Sequence, residues 1–180
     1  LKSRNVCVLS IILVLLILLS SCGTGSQKAY DFKVRKLDVE NRALSEDMIR
    51  LRDFQDVAIV LNFWASWCPP CGAEMPGLVA AHDIFKNKGV QFIGINVWSG
   101  GENAGDASDF LKEFSVTYPS GADTTGEAYT NYARQASLGS LSSPLPMTVF
   151  IDRNGYIIKI WPGSIQEDKL VTLVNELVAS

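Results

Sequence analysis

Histidine and cysteine are scarce in this chain: its 180 residues include one histidine and four cysteines. A single histidine excludes a His-rich metal site and a multi-histidine relay, and four cysteines are too few for a disulfide scaffold. No run of like charges is present and the formal net charge is −3, so the chain lacks the basic face that nucleic-acid binding requires. Charged residues make up 19% against 47% hydrophobic residues, which excludes intrinsic disorder and leaves ample apolar surface for one packed domain. No internal repeat or low-complexity tract divides the sequence.

Much of the apolar excess is concentrated near the start. Lys2 and Arg4 precede a nearly unbroken apolar run from Val8 to Leu19, which is followed by Ser20, Ser21, Cys22 and Gly23. A charged segment, an apolar segment and small residues in that order predict a secretory signal peptide over residues 1–21. The apolar segment is about a dozen residues long, short of the roughly 20 that a spanning helix needs. Leu19-Ser20-Ser21-Cys22 resembles a bacterial lipobox. That resemblance implies diacylglyceryl transfer to the Cys22 thiol, cleavage before Cys22, and an extracytoplasmic product held at the cell membrane by its lipid. Residues 22–29 then read as a flexible tether containing Gly23-Thr24-Gly25-Ser26, and residues 30–180 as the folded domain. Losing Lys2 and Arg4 with the leader makes the product more acidic, so attraction to anionic lipid heads adds little to the anchor.

Along the domain, Tyr30 to Leu44 suggests an edge hairpin, and Ser45 is placed to cap a helical turn reaching Leu51. Val57 to Trp64 is a continuous apolar run of strand length, the signature of a strand buried on both faces. Met75, Leu78, Val79, His82 and Phe85 recur at helical spacing as far as Lys88 and Gly89, with Pro76 inside the pattern. Val90–Val97 predicts a second buried strand, Asp106–Phe114 a helix and Gly126–Ala133 another. Met147–Ile151 and Tyr156–Trp161 predict two strands joined by the turn Asp152-Arg153-Asn154-Gly155. Ser164 and Glu167 form a capping box ahead of a last helix that carries Leu170, Leu173, Val174 and Leu177. The order predicts an α/β fold whose mixed central sheet has a parallel half and an antiparallel C-terminal hairpin, flanked by helices, with an N-terminal edge hairpin and a central insertion.

The chemistry centres on Trp67-Cys68-Pro69-Pro70-Cys71. Two cysteines separated by two residues, where a buried strand passes into a helix, form a C-x-x-C redox motif. In a first helical turn positions i and i+3 share one face about 5–6 Å apart, the Cα separation a disulfide needs. The unpaired N–H groups and dipole of the helix N-terminus stabilise a thiolate there. Cys68 is therefore the candidate nucleophile, exposed, and Cys71 the buried resolving thiol. Pro69 and Pro70 fall at early helical positions whose N–H groups lack intrahelical partners, so they cost little and stiffen the ring. A structural zinc site is excluded by ligand count, since tetrahedral zinc takes four ligands and only Cys7, Cys22 and His82 stand outside the pair. His82 lies about 16 Å along the helix from Cys71 at 1.5 Å per residue, and reads as a surface residue.

Asn62-Phe63-Trp64-Ala65-Ser66-Trp67-Cys68-Pro69-Pro70-Cys71, with Glu74 and Pro76 beyond it, resembles the membrane-anchored thioredoxin-like proteins of the TlpA and ResA type. A second block, Pro144-Leu145-Pro146-Met147-Thr148-Val149-Phe150-Ile151-Asp152 and then Gly155, is similar to the segment around that family's cis-proline. The resemblance runs from about Val57 to the end and is loose from Trp98 to Ser143. It implies a thioredoxin fold and extracytoplasmic disulfide exchange with no cofactor beyond the Cys68–Cys71 pair. By the same resemblance Pro146 is the cis-proline facing the pair, and Leu145 and Pro146 offer backbone to an extended substrate peptide, with Trp67, Pro69 and Pro70 on the rim. Glu74 stands where the family carries a buried glutamate, placed to take the Cys71 proton. Asn62 puts a neutral amide where cytosolic thioredoxins have a buried aspartate, which leaves Glu74 as the candidate carboxylate.

Other readings are weaker. Ser99-Gly100-Gly101-Glu102-Asn103-Ala104-Gly105 lacks the Lys-Ser/Thr pair of a phosphate loop and reads as a surface loop. Peroxiredoxins need a threonine or serine three residues before the reactive cysteine, where this chain has Ala65. Copper proteins of the Sco type use a three-residue spacer between their cysteines. The expected function is a lipid-anchored protein disulfide reductase, whose partners are disulfide-bearing proteins such as apocytochrome c and a membrane thiol-transfer protein as electron donor. The alternatives are an oxidant of secreted proteins and a non-catalytic binding lipoprotein.

Overall fold

The computed structural model describes residues 27–136 and 145–179. The leader, Cys22, Pro144 and the end of the loosely matching middle lie outside the described residues. Seven strands, β1 (Lys33–Asp38), β2 (Ala43–Arg50), β3 (Ala58–Trp64), β4 (Val90–Val97), β5 (Ser120–Asp123), β6 (Met147–Ile151) and β7 (Ile157–Pro162), form one sheet in the order β2-β1-β5-β4-β3-β6-β7. The β3–β4 and β4–β5 pairs are parallel, and every other pair is antiparallel. The helices are α1 (Pro69–Phe85), α2 (Ala104–Glu113), α3 (Glu127–Gln135) and α4 (Glu167–Ala179).

β3 is buried along its whole length because both faces of the sheet are covered. Val60 and Trp64 join Met75, Leu78, Phe110, Leu170 and Val174 under α1, α2 and α4. Ile59, Leu61 and Phe63 join Phe32, Val34, Ile49 and Tyr132 on the opposite face, under α3 and the N-terminal hairpin. Each such apolar side chain contributes about 1.5–3 kcal/mol on burial, so the central strand is the best-anchored part of the frame. Asn62 is the one polar side chain in β3.

Four local expectations are corrected. Ala43–Arg50, where a capped helical turn was expected, is strand β2. Pairing with β1 overrides the cap: Arg35 donates to the Ser45 and Leu44 carbonyls, and Ser45 Oγ accepts from Asp47 N. The central insertion contains a strand that the sequence does not announce, β5, whose Ser-Gly-Ala-Asp lacks β-branched residues. Gly121 is required there, since a Cβ would meet Val34 Cγ2 at 2.6 Å and the Arg35 carbonyl at 3.0 Å. The last helix begins at Glu167 and not at Ser164, because Ile165 gives its N–H to Glu74. Gln27–Ala29, expected in the tether, are pinned to the β6–β7 turn by the Ile157 N to Gln27 O and Ala29 N to Gly155 O bonds.

Candidate functional site

β3 ends at Trp64, and the chain turns through Ala65–Trp67 into α1, with Cys68 as its N-cap residue and Pro69 and Pro70 at the first two helical positions. Cys68 and Cys71 are joined as a disulfide with Cα atoms 5.3 Å apart. Cys68 Sγ accepts the Cys71 N–H at 3.2 Å, and its carbonyl accepts from Cys71 N and Gly72 N. Pro69 and Pro70 carry no N–H, so the backbone donor that reaches the sulfur is that of Cys71, and with the helix dipole it favours a thiolate on Cys68.

Cys71 is fully buried, and Cys68, expected to be exposed, retains only 4% of its surface. It lines a groove of about 400 Å³ together with Trp67, Pro69, Pro70, Trp98 and Leu145. Of the predicted contact residues, Trp67, Pro69, Pro70 and Leu145 line this groove and Pro146 does not. Trp67 is the most exposed large apolar side chain among the described residues, at 49%. The Leu145–Pro146 bond is cis, and the buried Pro146 gives its carbonyl to Gly163 N.

Glu74 sits one turn past Cys71 and is 5% exposed. Its Oε1 accepts from Asn62 Nδ2 at 2.8 Å and its Oε2 from Ile165 N at 2.9 Å. Burial pushes its carboxyl up to about 7, because desolvation outweighs those two hydrogen bonds. Asn62 Nδ2 also donates to Thr148 Oγ1 at 3.1 Å, which ties β3, α1 and the strand after the cis-proline into one network. Tyr118 lies close enough to Glu74 for the carboxylate to raise the phenol further, after burial has already done so. Its hydroxyl donates to Met75 Sδ.

His82 is not on the surface. It is 9% exposed and packs edge-on against Phe92 and Tyr118, where burial lowers its pKa. Two contact residues escape the sequence reading. Glu102 is buried beside the cysteine turn with both its bonds to Ser66, and Thr148 completes the Asn62 network. Nothing local marks Glu102, which lies 36 residues from its partner. Thr148 was within reach, being in the block that resembles the cis-proline segment. Among the described residues no group of three His, Cys, Asp or Glu side chains could hold a metal, and no helix is long and apolar enough to cross a membrane.

The AhpC/TSA family model matches residues 26–160. The chain belongs to this family. Within it, the chain is a ResA-type thiol–disulfide oxidoreductase with a thioredoxin fold. It is 32% identical over 149 residues to the thiol-disulfide oxidoreductase ResA of Oceanobacillus iheyensis, covering 83% of this chain and 70% of that one. It is 28% identical over 173 residues to ResA of Bacillus thuringiensis, covering 92% and 94%. The fold superposes on a thiol:disulfide interchange protein of the thioredoxin family from Chlorobium tepidum with a TM-score of 0.71 at 21% identity, over 87% of this chain and 99% of that one. In this AhpC/TSA member the residue three before Cys68 is the fully buried Ala65, which offers no hydroxyl to a peroxide.

Proposed function

We propose that this oxidoreductase works outside the cytoplasm as a lipid-anchored reductant of protein disulfides, with apocytochrome c among its substrates. The Cys68 thiolate attacks a substrate disulfide, forming a mixed disulfide and releasing the first substrate thiolate. Glu74 then takes the Cys71 proton, the Cys71 thiolate attacks Cys68 Sγ, and the second substrate thiolate leaves as the Cys68–Cys71 bond forms. Two electrons pass to the substrate, the proton held by Glu74 goes to the second departing thiolate, the first takes its proton from solvent, and a membrane thiol-transfer protein restores the dithiol. Leu145, half-buried at the groove beside the cis bond, presents backbone to the substrate chain, Pro146 fixes that backbone in place, and Trp67, Pro69 and Pro70 bound the approach to Cys68.

The observation that carries this reading is Glu74. A carboxyl held near pH 7 one turn from the buried thiol is matched to accept a proton that solvent cannot reach. The leader and Leu19-Ser20-Ser21-Cys22 support secretion and the anchor. Four residues separate Cys22 from Gln27, which meets the fold beside the β6–β7 turn, at the end of the sheet remote from the disulfide.

The test is to mix the reduced domain, residues 27–180, with a disulfide-bearing protein and with an oxidised Cys-x-x-Cys-His peptide, and to follow free thiols. Stoichiometric reduction by wild type, and a trapped mixed disulfide with Cys71→Ala, are expected. Failure of the reduced domain to reduce either substrate, with the oxidised domain instead forming disulfides in reduced ones, would overturn the reading in favour of an oxidant.

A further inference from the structure

The Ser-Gly-Gly-Glu segment after β4, which resembles no phosphate loop, is built against the cysteine turn. Glu102 is 7% exposed, and its Oε2 accepts both the Ser66 backbone N–H at 2.7 Å and the Ser66 hydroxyl at 3.0 Å. One residue on, Trp67 donates its indole N–H to the Ser99 carbonyl at 2.8 Å. Both residues that lead into Cys68 are therefore bonded to a single four-residue turn.

That turn is itself fixed. Glu102 N donates to the Ser99 carbonyl, Trp98 N reaches Asp123 O on β5, and Asn103 caps α2 by accepting from Asp106 N. Gly100, at φ +60°, lies against the Trp67 ring, since a Cβ there would stand 3.4 Å from Cε2 and Nε1. The indole is thus held against a glycine while half its surface remains in solvent, an arrangement that core packing does not require. Trp67, Trp98 and Ser99 also line the groove at Cys68, so the turn sets the position of one groove wall.

We propose that Glu102 is a positioning residue for the exchange reaction: through Ser66 and the Ser99–Glu102 turn it holds Trp67 and the groove wall where a protein disulfide must seat, without altering the Cys68–Cys71 pair itself. The inference rests on Cys68 being the sulfur that meets substrate. Glu102 Oε1 has no hydrogen-bond partner among the described residues, so a carboxamide can take over the clamp with its single oxygen.

The experiment compares Glu102→Ala, Glu102→Gln and Ser66→Ala with wild type, using a protein disulfide, a small aromatic disulfide and equilibration with glutathione, with thermal melting as the check of folding. Expected are a loss of about tenfold in kcat/KM for Glu102→Ala on the protein disulfide, a change under about twofold on the small disulfide, and an unmoved glutathione equilibrium. Glu102→Gln should stay within about twofold of wild type on both substrates, because it keeps the acceptor. Ser66→Ala, which deletes one of the two bonds to Glu102 and lines no part of the groove, should give a smaller loss of about threefold on the protein disulfide alone and carries the test if Glu102→Ala fails to fold. Equal losses on both substrates, a shifted glutathione equilibrium, or Glu102→Gln behaving as Glu102→Ala would each overturn the proposal. If wild type oxidises proteins instead of reducing them, the same selectivity is read in that direction, so failure of the reductant reading shows in the wild-type control alone.

Discussion

Glu74 and Glu102 are both buried glutamates within reach of one redox motif, and they are held in different ways. Glu74 divides its bonds, one oxygen to a side-chain amide on β3 and the other to a backbone N–H ahead of α4, inside the layer that also buries Cys71. Glu102 places both bonds of one oxygen on a single residue, Ser66, at the rim of the groove. The first arrangement leaves a carboxyl poised to change its protonation beneath the pair. The second leaves a fixed acceptor that orients backbone. Burial alone does not define what an acid does, and the donors around it decide between proton transfer and positioning.

The largest effect comes from removing the pair that both acids serve. Cys68→Ser should abolish exchange with every disulfide, and Cys71→Ser should stop turnover after one mixed disulfide, as seen by mass spectrometry. Glu74→Gln comes next. It should slow release of reduced substrate by about 100-fold at neutral pH and erase the inflection near pH 7 that wild type shows. Stability checks the same group with a definite sign. The native carboxyl keeps its proton up to about 7 while the unfolded one releases it near 4.5, so wild type loses stability as pH rises through that window. Relative to wild type, oxidised Glu74→Gln should therefore gain about 3 kcal/mol between pH 4 and pH 8 in denaturant melts.

Ser66→Ala sharpens the contrast at the rim. It deletes one of the two bonds to Glu102 and keeps the backbone N–H, so kcat/KM on a protein disulfide should fall by about threefold with no change in the pH profile. The smallest effect is expected at His82, remote from both acids. Its depressed pKa means the unfolded chain binds the proton first, so stability is lost as pH falls below the ordinary histidine range. His82→Leu should flatten that acid limb in thermal melts and leave exchange rates unaltered.

What sequence conveys and what it withholds follow the same division. β3 and β4 are legible because strands covered on both faces read as unbroken apolar runs, and α1 because its buried residues recur at helical spacing through Pro76. The cysteine pair is legible because its spacing is local, one helical turn, whereas the burial of Glu74 is expected only through the family resemblance. β5 escapes because partners on either side stabilise a segment of poor propensity, and β2 because pairing with β1 outweighs the cap at Ser45. The start of α4 is misplaced by three residues because a carboxylate distant in sequence takes the Ile165 N–H. Glu102 escapes for the same reason, since its role exists only once β4 and the cysteine turn lie side by side.

The potential of the Cys68–Cys71 couple decides the direction of electron flow. Equilibrating residues 27–180 against glutathione or dithiothreitol gives the potential of the Cys68–Cys71 couple directly. A reductant should lie well below about −200 mV, and a value near about −120 mV, that of a strong disulfide-forming oxidant, would contradict it.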